Sequence, residues 1–256
     1  MSTRLNLTIE GAVARLTLAS DDGEHRLGAE TLAELQTLCQ ALGEMPDVRA
    51  VILHGEGEQF CHGWSAALLQ RLAAGEELAG LPGDPFGCLA ELPLPVIAAV
   101  EGGCTSAGLE LALACDLRVC SATARFALPE TAFGLIPLAG GTQRLPRIVG
   151  RPRALSLVLL GEAIDGATAE AWGLVNALAE AGEALPTAER LAATIAARGP
   201  IAERFAKEAV QNGVELPLAR ALRYELDLTV LLQTTEDRAE GVRAFAEKRP
   251  PEFHGR

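Results

Sequence analysis

The chain has 256 residues, 49% of them apolar and only 4% aromatic, with a formal net charge of -12. That length accommodates one large domain, or a main domain with a small appendage, on a core of Leu, Ala and Val. The acidic balance excludes non-specific nucleic-acid binding, which needs a basic face, but leaves room for a phosphorylated ligand met by a few local Lys or Arg residues.

Residues 1–11 lack a charged region followed by an apolar run, so no signal peptide is expected. No apolar stretch approaches the ~20 residues needed to cross a bilayer, so a membrane is not an expected partner and the cytoplasm is the default location. Residues 5–19 alternate in polarity and predict a hairpin turning at Glu10-Gly11. A turn follows at Asp21-Asp22-Gly23. Leu32, Leu35, Leu38 and Leu42 then recur at helical spacing over residues 29–42. Residues 48–53 form a short apolar run, the pattern of a buried strand leading into His54-Gly55-Glu56-Gly57. Strand, helix and strand thus alternate, which predicts an α/β layered domain.

Residues 73–87 are rich in Gly, Pro and acids and read as a mobile connector. Residues 96–100 predict another buried strand, residues 107–115 a helix and residues 117–120 a strand. From residue 188 onward the pattern is helical, with Leu191, Ile195, Phe205, Ala209, Leu218, Leu222 and Leu226 at periodic positions. The expected organisation is an α/β core over 1–187 and a helical region over 188–256. The six cysteines, at 39, 61, 88, 104, 115 and 120, contain no C-x-x-C pair. They read as small buried hydrophobes rather than metal ligands or disulfides.

Glu110 is the most informative residue. It lies in Ala107-Gly108-Leu109-Glu110-Leu111-Ala112-Leu113-Ala114-Cys115, a helical segment with no other ionisable side chain apart from the terminal thiol. Its neighbours at i-3, i+3 and i+4 are Ala107, Leu113 and Ala114, so a solvated helix face is hard to draw. An ionised glutamate is almost never buried without a reason. Glu130 follows Pro129 in a non-periodic stretch with apolar flanks. Two carboxylates in one apolar site would have their proton affinities pushed apart, giving an acid and a base near neutral pH. The small residues of Gly102-Gly103-Cys104-Thr105-Ser106-Ala107-Gly108, between a strand and a helix, suit either close ligand approach to backbone N–H groups or tight helix packing. Gln59-Phe60-Cys61-His62-Gly63-Trp64 is a loop after a strand.

Other motifs fail. Phe60 stands where a dinucleotide fingerprint starting at Gly55 needs its third Gly. Cys104 occupies the first Gly position of a nucleophile elbow around Ser106. The histidines at 25, 54, 62 and 254 form no ligand spacing, and His62 reads as a packing or surface residue rather than a base.

At these residues the chain resembles the enoyl-CoA hydratase/isomerase (crotonase) superfamily over nearly its whole length. The matching blocks begin with Val48-Arg49-Ala50-Val51-Ile52-Leu53, Phe60-Cys61-His62-Gly63 and Pro95-Val96-Ile97-Ala98-Ala99-Val100-Glu101-Gly102. They continue through Glu110-Leu111-Ala112-Leu113-Ala114-Cys115-Asp116, Pro129-Glu130 and Gly140-Gly141-Thr142-Gln143-Arg144-Leu145. The last are Asp237-Arg238-Ala239-Glu240-Gly241 and Phe245-Ala246-Glu247-Lys248-Arg249.

The resemblance implies an α/β spiral of ββα turns whose C-terminal helices assemble a homotrimer or homohexamer. It implies an acyl-CoA thioester as substrate, with no separate cofactor or metal. It assigns an oxyanion hole to the backbone N–H groups of Trp64 and Ala107, and the two catalytic carboxylates to Glu110 and Glu130. CoA and substrate contacts are expected at His62, Ser65, Ala66, Ala67, Phe245 and Lys248, the last two toward the adenine end. Ser65 stands where the family commonly has Asp, Ala67 falls in a run that usually carries a Lys, Ser106 replaces a Gly, and Leu138 follows Pro137 in place of Gly. Hydration of a 2-enoyl-CoA is the leading expectation. The alternatives are double-bond isomerisation, thioester hydrolysis, decarboxylation or dehalogenation, and a non-catalytic CoA-binding or assembly protein.

Overall fold

The computed structural model describes residues 3–74 and 84–256. Its strands are β1 (Arg4–Glu10), β2 (Val13–Ala19), β3 (Ala50–Gly55), β4 (Val96–Val100), β5 (Gly103–Thr105), β6 (Leu117–Ser121), β7 (Arg125–Ala127), β8 (Ile164–Asp165) and β9 (Ala177–Ala179). The helices of the first half are α1 (Ala29–Gly43), α2 (Ala66–Ala73), α3 (Gly87–Ala90) and α4 (Ala107–Leu113), followed by a 3₁₀ turn at Glu130–Phe133. Then come α5 (Gly141–Val149), α6 (Arg151–Leu160), α7 (Gly166–Trp172), α8 (Ala184–Ala196), α9 (Pro200–Gly213), α10 (Leu218–Leu232) and α11 (Glu236–Glu247).

The predicted hairpin is present, β1 pairing antiparallel with β2 from Arg4↔Ala19 to Glu10↔Val13. The remaining pairs of the large sheet are parallel, in the order β1-β2-β3-β4-β6-β9. A smaller sheet, β5-β7-β8, lies alongside it. Strands β4 and β6 of the large sheet each lead, within a few residues, into β5 and β7 of the small one. Those strands lead in turn into α4 and the 3₁₀ turn. This is the ββα spiral that the resemblance implies.

Both faces of the large sheet are covered, which is why β3 and β4 read as continuous apolar runs rather than alternating ones. On one face Val51, Leu53, Val96, Ala98 and Val100 join the main core with Leu32, Leu35, Cys39 and Leu42 of α1. On the other, Ala50, Ile52, Ile97, Ala99 and Val119 pack against Ala184, Ala188 and Ala192, the i, i+4, i+8 stripe of α8. The 187/188 boundary drawn from sequence therefore falls inside a helix that lies on the sheet.

Of the expected connector at 73–87, residues 75–83 lie outside the described residues. Its end does not behave as a solvated linker: Phe86 is fully buried and α3 packs against α1. Helix α9 is tied to the core through Lys207, whose Nζ donates to the Leu94 carbonyl at 2.9 Å and to Asp116 at 2.6 Å. Helix α10 leaves Leu218, Leu222 and Leu226 exposed, Leu218 by 74%. Among the described residues no helix is long and apolar enough to cross a membrane.

Candidate active site

The two glutamates meet because the strands before them pair. β5 and β7 run parallel, Gly103 opposite Arg125 and Thr105 opposite Ala127. The elements that follow, α4 and the 3₁₀ turn, are thereby delivered side by side. Ser106 makes the corner into α4 with φ of +55°, a region that L side chains rarely adopt, and its N–H bonds the Ala127 carbonyl at 2.9 Å. The 3₁₀ turn is pinned by Thr131 Oγ1, which donates to the Val158 carbonyl of α6 at 2.8 Å.

Glu110 is fully buried. Its Oε1 accepts the N–H of Ala139 at 2.7 Å and of Gly141 at 2.8 Å, while Oε2 is buried without a partner. Burial pushes its pKa up to about 7; the Gly141 and Ala139 N–H donors oppose the rise and the neighbouring Glu130 charge adds to it. Glu130 is also buried, with neither carboxylate oxygen partnered. Buried polar atoms are normally satisfied, so three bare oxygens in one place mark a site shaped to receive a polar guest.

The backbone segments that carry Trp64 and Ala107 are pressed together. Cys61 N–H bonds the Gly103 carbonyl at 2.9 Å, and Thr105 N–H bonds the Cys61 carbonyl at 3.0 Å. Glycine is required on both sides of this contact. A Cβ on Gly108 would stand 2.2 Å from the Cys61 carbonyl oxygen, and one on Gly63, which has φ of +95°, would stand 2.6 Å from Ser106 Cβ. Among the described residues neither the Trp64 nor the Ala107 amide N–H meets an acceptor. Ala107 and Glu110 lie one turn apart on α4, so a group held by these amides sits near the carboxylates. The Trp64 ring is buried and stacks on Phe86, with centroids 6.0 Å apart and planes 10° from parallel.

The other expected contacts are spread more widely. Ser65 Oγ accepts the Leu68 N–H at 3.3 Å at the start of α2. Ser65, Ala66 and Ala67 line an open cleft of about 570 Å³ together with Arg26 and Arg71. Arg26 also pairs with Glu24. His62 does not line the cleft: its Nε2 lies 3.0 Å from Gln59 Oε1, and its N–H bonds the Glu24 carbonyl. Phe245, 87% exposed, and Lys248, at the left-handed end of α11, do not line it either. Among the described residues no group of three or more His, Cys, Asp and Glu is arranged to hold a metal ion.

Sequence reasoning missed the Ala139 and Gly141 amides that hold Glu110, the Phe86 ring against Trp64, and Arg26 and Arg71 in the cleft. The Gly140-Gly141 pair was the available signal for the first. Phe86 gave none, because it sits at the end of a stretch that reads as a linker.

The family model described as enoyl-CoA hydratase/isomerase matches residues 8–256. The chain is 42% identical over 248 residues to the Bacillus subtilis (strain 168) protein YngF, covering 95% of each. It is 35% identical over 247 residues to the crotonyl-CoA hydratase of Syntrophomonas wolfei, again covering 95% of each. The crystal structure of an enoyl-CoA hydratase from Bacillus anthracis superposes with a TM-score of 0.91 at 35% identity, covering 99% of this chain and 100% of that one. With a single family model spanning nearly the whole sequence and full-length relatives above 30% identity, the chain belongs to the enoyl-CoA hydratase/isomerase family.

Proposed function

We propose that the protein is an enoyl-CoA hydratase, adding water across the C2=C3 bond of a 2-enoyl-CoA thioester. The observation that carries this reading is the state of Glu110: one oxygen fixed by two amides, the other bare, with the bare carboxylate of Glu130 beside it. The thioester carbonyl oxygen takes the Trp64 and Ala107 N–H groups, which stabilise the enolate as charge develops. One such donor is worth about 3 kcal/mol. Glu110 Oε2 accepts a proton from water as its oxygen bonds to C3, and Glu130 is the group through which a proton reaches C2. A base with a pKa of about 7 is well matched to that work.

The cleft beside Ser65, Ala66 and Ala67 is the proposed berth of the CoA moiety. Arg26 on its wall, beside Asp22 and Glu30, is the cation proposed to meet phosphate where Ala67 brings none. Phe245 and Lys248 do not line this cleft, so their proposed contact with the adenine end depends on a neighbouring copy. The proposed assembly is a homotrimer or homohexamer, supported by the row of exposed leucines on α10. The proposed location is the cytoplasm, in keeping with six free thiols.

The test follows the conjugated enoyl-thioester absorbance of crotonyl-CoA and of a longer 2-enoyl-CoA with purified protein. Loss of absorbance that disappears in Glu110→Gln and Glu130→Gln supports the reading. A protein that binds the thioester and leaves the absorbance unchanged contradicts it.

A further inference from the structure

An ion pair outside the reacting groups connects both halves of the site. The guanidinium of Arg144, on α5, lies across the Asp84 carboxylate, with Nη1 donating to Oδ1 at 3.2 Å and Nη2 to Oδ2. Nη1 also donates to the Ala139 carbonyl at 3.2 Å, and the Ala139 amide is one of the two that grip Glu110. Between them Gly140 has φ of +102°, and a Cβ there would lie 2.3 Å from Nη1, so the guanidinium closes directly over the glycine. On the other side, Asp84 Oδ1 accepts the Phe86 N–H at 3.2 Å, and Phe86 is the ring stacked on Trp64. A continuous run of contacts thus leads from Glu110 through Ala139, Arg144, Asp84 and Phe86 to Trp64.

The pair itself is partly open to solvent, 21% for the Arg144 side chain and 43% for Asp84. Ion pairs in that setting add little to stability. What a two-point guanidinium–carboxylate contact supplies is fixed geometry.

We propose that Asp84 and Arg144 are positioning residues that hold the Ala139–Gly141 loop against Glu110 and Phe86 against Trp64, setting the carboxylates and the free amides in one frame. The proposal rests on the reading of Glu110 as the catalytic base. Neither residue touches a reacting atom. When the pair is cut, the loop loosens and its two donors fit the Glu110 carboxylate less well, which disfavours the anion. Among the described residues, the charged neighbour of Glu110 is Glu130 on the 3₁₀ turn, Arg144 reaches it from α5 through Ala139, and Arg147 of α5 pairs instead with Glu215.

The experiment measures crotonyl-CoA hydration by full-length Arg144→Met, Asp84→Asn, Arg144→Lys and Glu110→Gln proteins from about pH 5 to about pH 9, with circular dichroism to count folded protein. Arg144→Met should lower kcat about tenfold, change KM less than about twofold, and move the acid limb of the pH profile upward by about half a unit. Asp84→Asn should move both in the same direction, and Arg144→Lys should recover most of the loss. A folded Arg144→Met protein with unchanged kcat and an unmoved limb overturns the proposal, as does an activity loss that only tracks lost fold. If Arg144→Met is silent while Glu110→Gln is inactive, the positioning role alone falls. If Glu110→Gln retains full turnover, the catalytic reading falls with it.

Discussion

Gly141 donates its amide hydrogen to Glu110 Oε1 at 2.8 Å, and a Cβ on that same glycine would stand 3.0 Å from the oxygen it serves and 2.9 Å from Pro137 Cβ. The close approach and the absent side chain are one requirement. Because Oε1 takes the Ala139 amide as well, the carboxylate cannot rotate without losing both bonds, and Oε2 is left buried and bare.

Gly141→Ala should therefore push the loop away from Glu110 rather than unfold the chain. We expect kcat for hydration to fall by about ten- to a hundredfold, with KM affected much less. Steady-state kinetics on crotonyl-CoA checks this, and a variant with wild-type kcat would show that the glycine is not needed for the grip.

Glu110→Gln and Glu130→Gln each remove one proton-transfer group while keeping the side chain's shape. General acid or base catalysis is worth roughly 10² to 10⁴ in rate, so each variant should lose activity within that range. Both should still bind a saturated acyl-CoA, since the Trp64 and Ala107 amides and the Ser65 cleft are untouched. Loss of binding together with turnover would point to misfolding instead.

The pH profile carries a signature of burial. Glu110 acts as a base only when ionised, and burial sets its pKa at about 7. The expected kcat/KM falls by about tenfold per pH unit on the acid side of that value. A profile flat down to the ordinary glutamate range, near 4.5, contradicts the assignment.

The same shift has a stability counterpart. The native pKa of about 7 lies above the ordinary 4.5, so the folded protein holds this proton more tightly than the unfolded chain. That contribution is fully present below about pH 4.5 and is lost as the pH rises through about 7. Glu110→Gln, neutral at every pH, should gain on the wild type across that window, by roughly 1–3 kcal/mol once the pH is above 7. Thermal melts of both proteins at low and high pH test it. A difference that stays constant with pH removes the buried-charge account.

Much of this was legible in the sequence, and what was not has identifiable causes. Glu110 stood out because a lone carboxylate among Ala107, Leu113 and Ala114 has no polar face to occupy, and it is buried as that pattern requires. Glu130 did not stand out locally. Its burial depends on Thr131 reaching the Val158 carbonyl of α6 and on β7 pairing with β5, contacts distant in sequence. Phe86 was hidden by its Gly- and Pro-rich neighbours, which set the local pattern but not the fate of one ring against Trp64. The start of α8 at Ala184 was placed a turn late because its buried stripe is Ala184, Ala188 and Ala192, small residues that weaken the apolar signal while fitting the helix tightly to the sheet.

The most direct test of the central claim is isotopic. Crotonyl-CoA turned over in water enriched in both ¹⁸O and deuterium should give 3-hydroxybutyryl-CoA carrying one solvent oxygen at C3 and one solvent deuterium at C2, with the thioester intact. A product with no solvent oxygen, or one in which the label sits in a free carboxylate beside released CoA, would contradict hydration and assign the site to isomerisation or thioester hydrolysis.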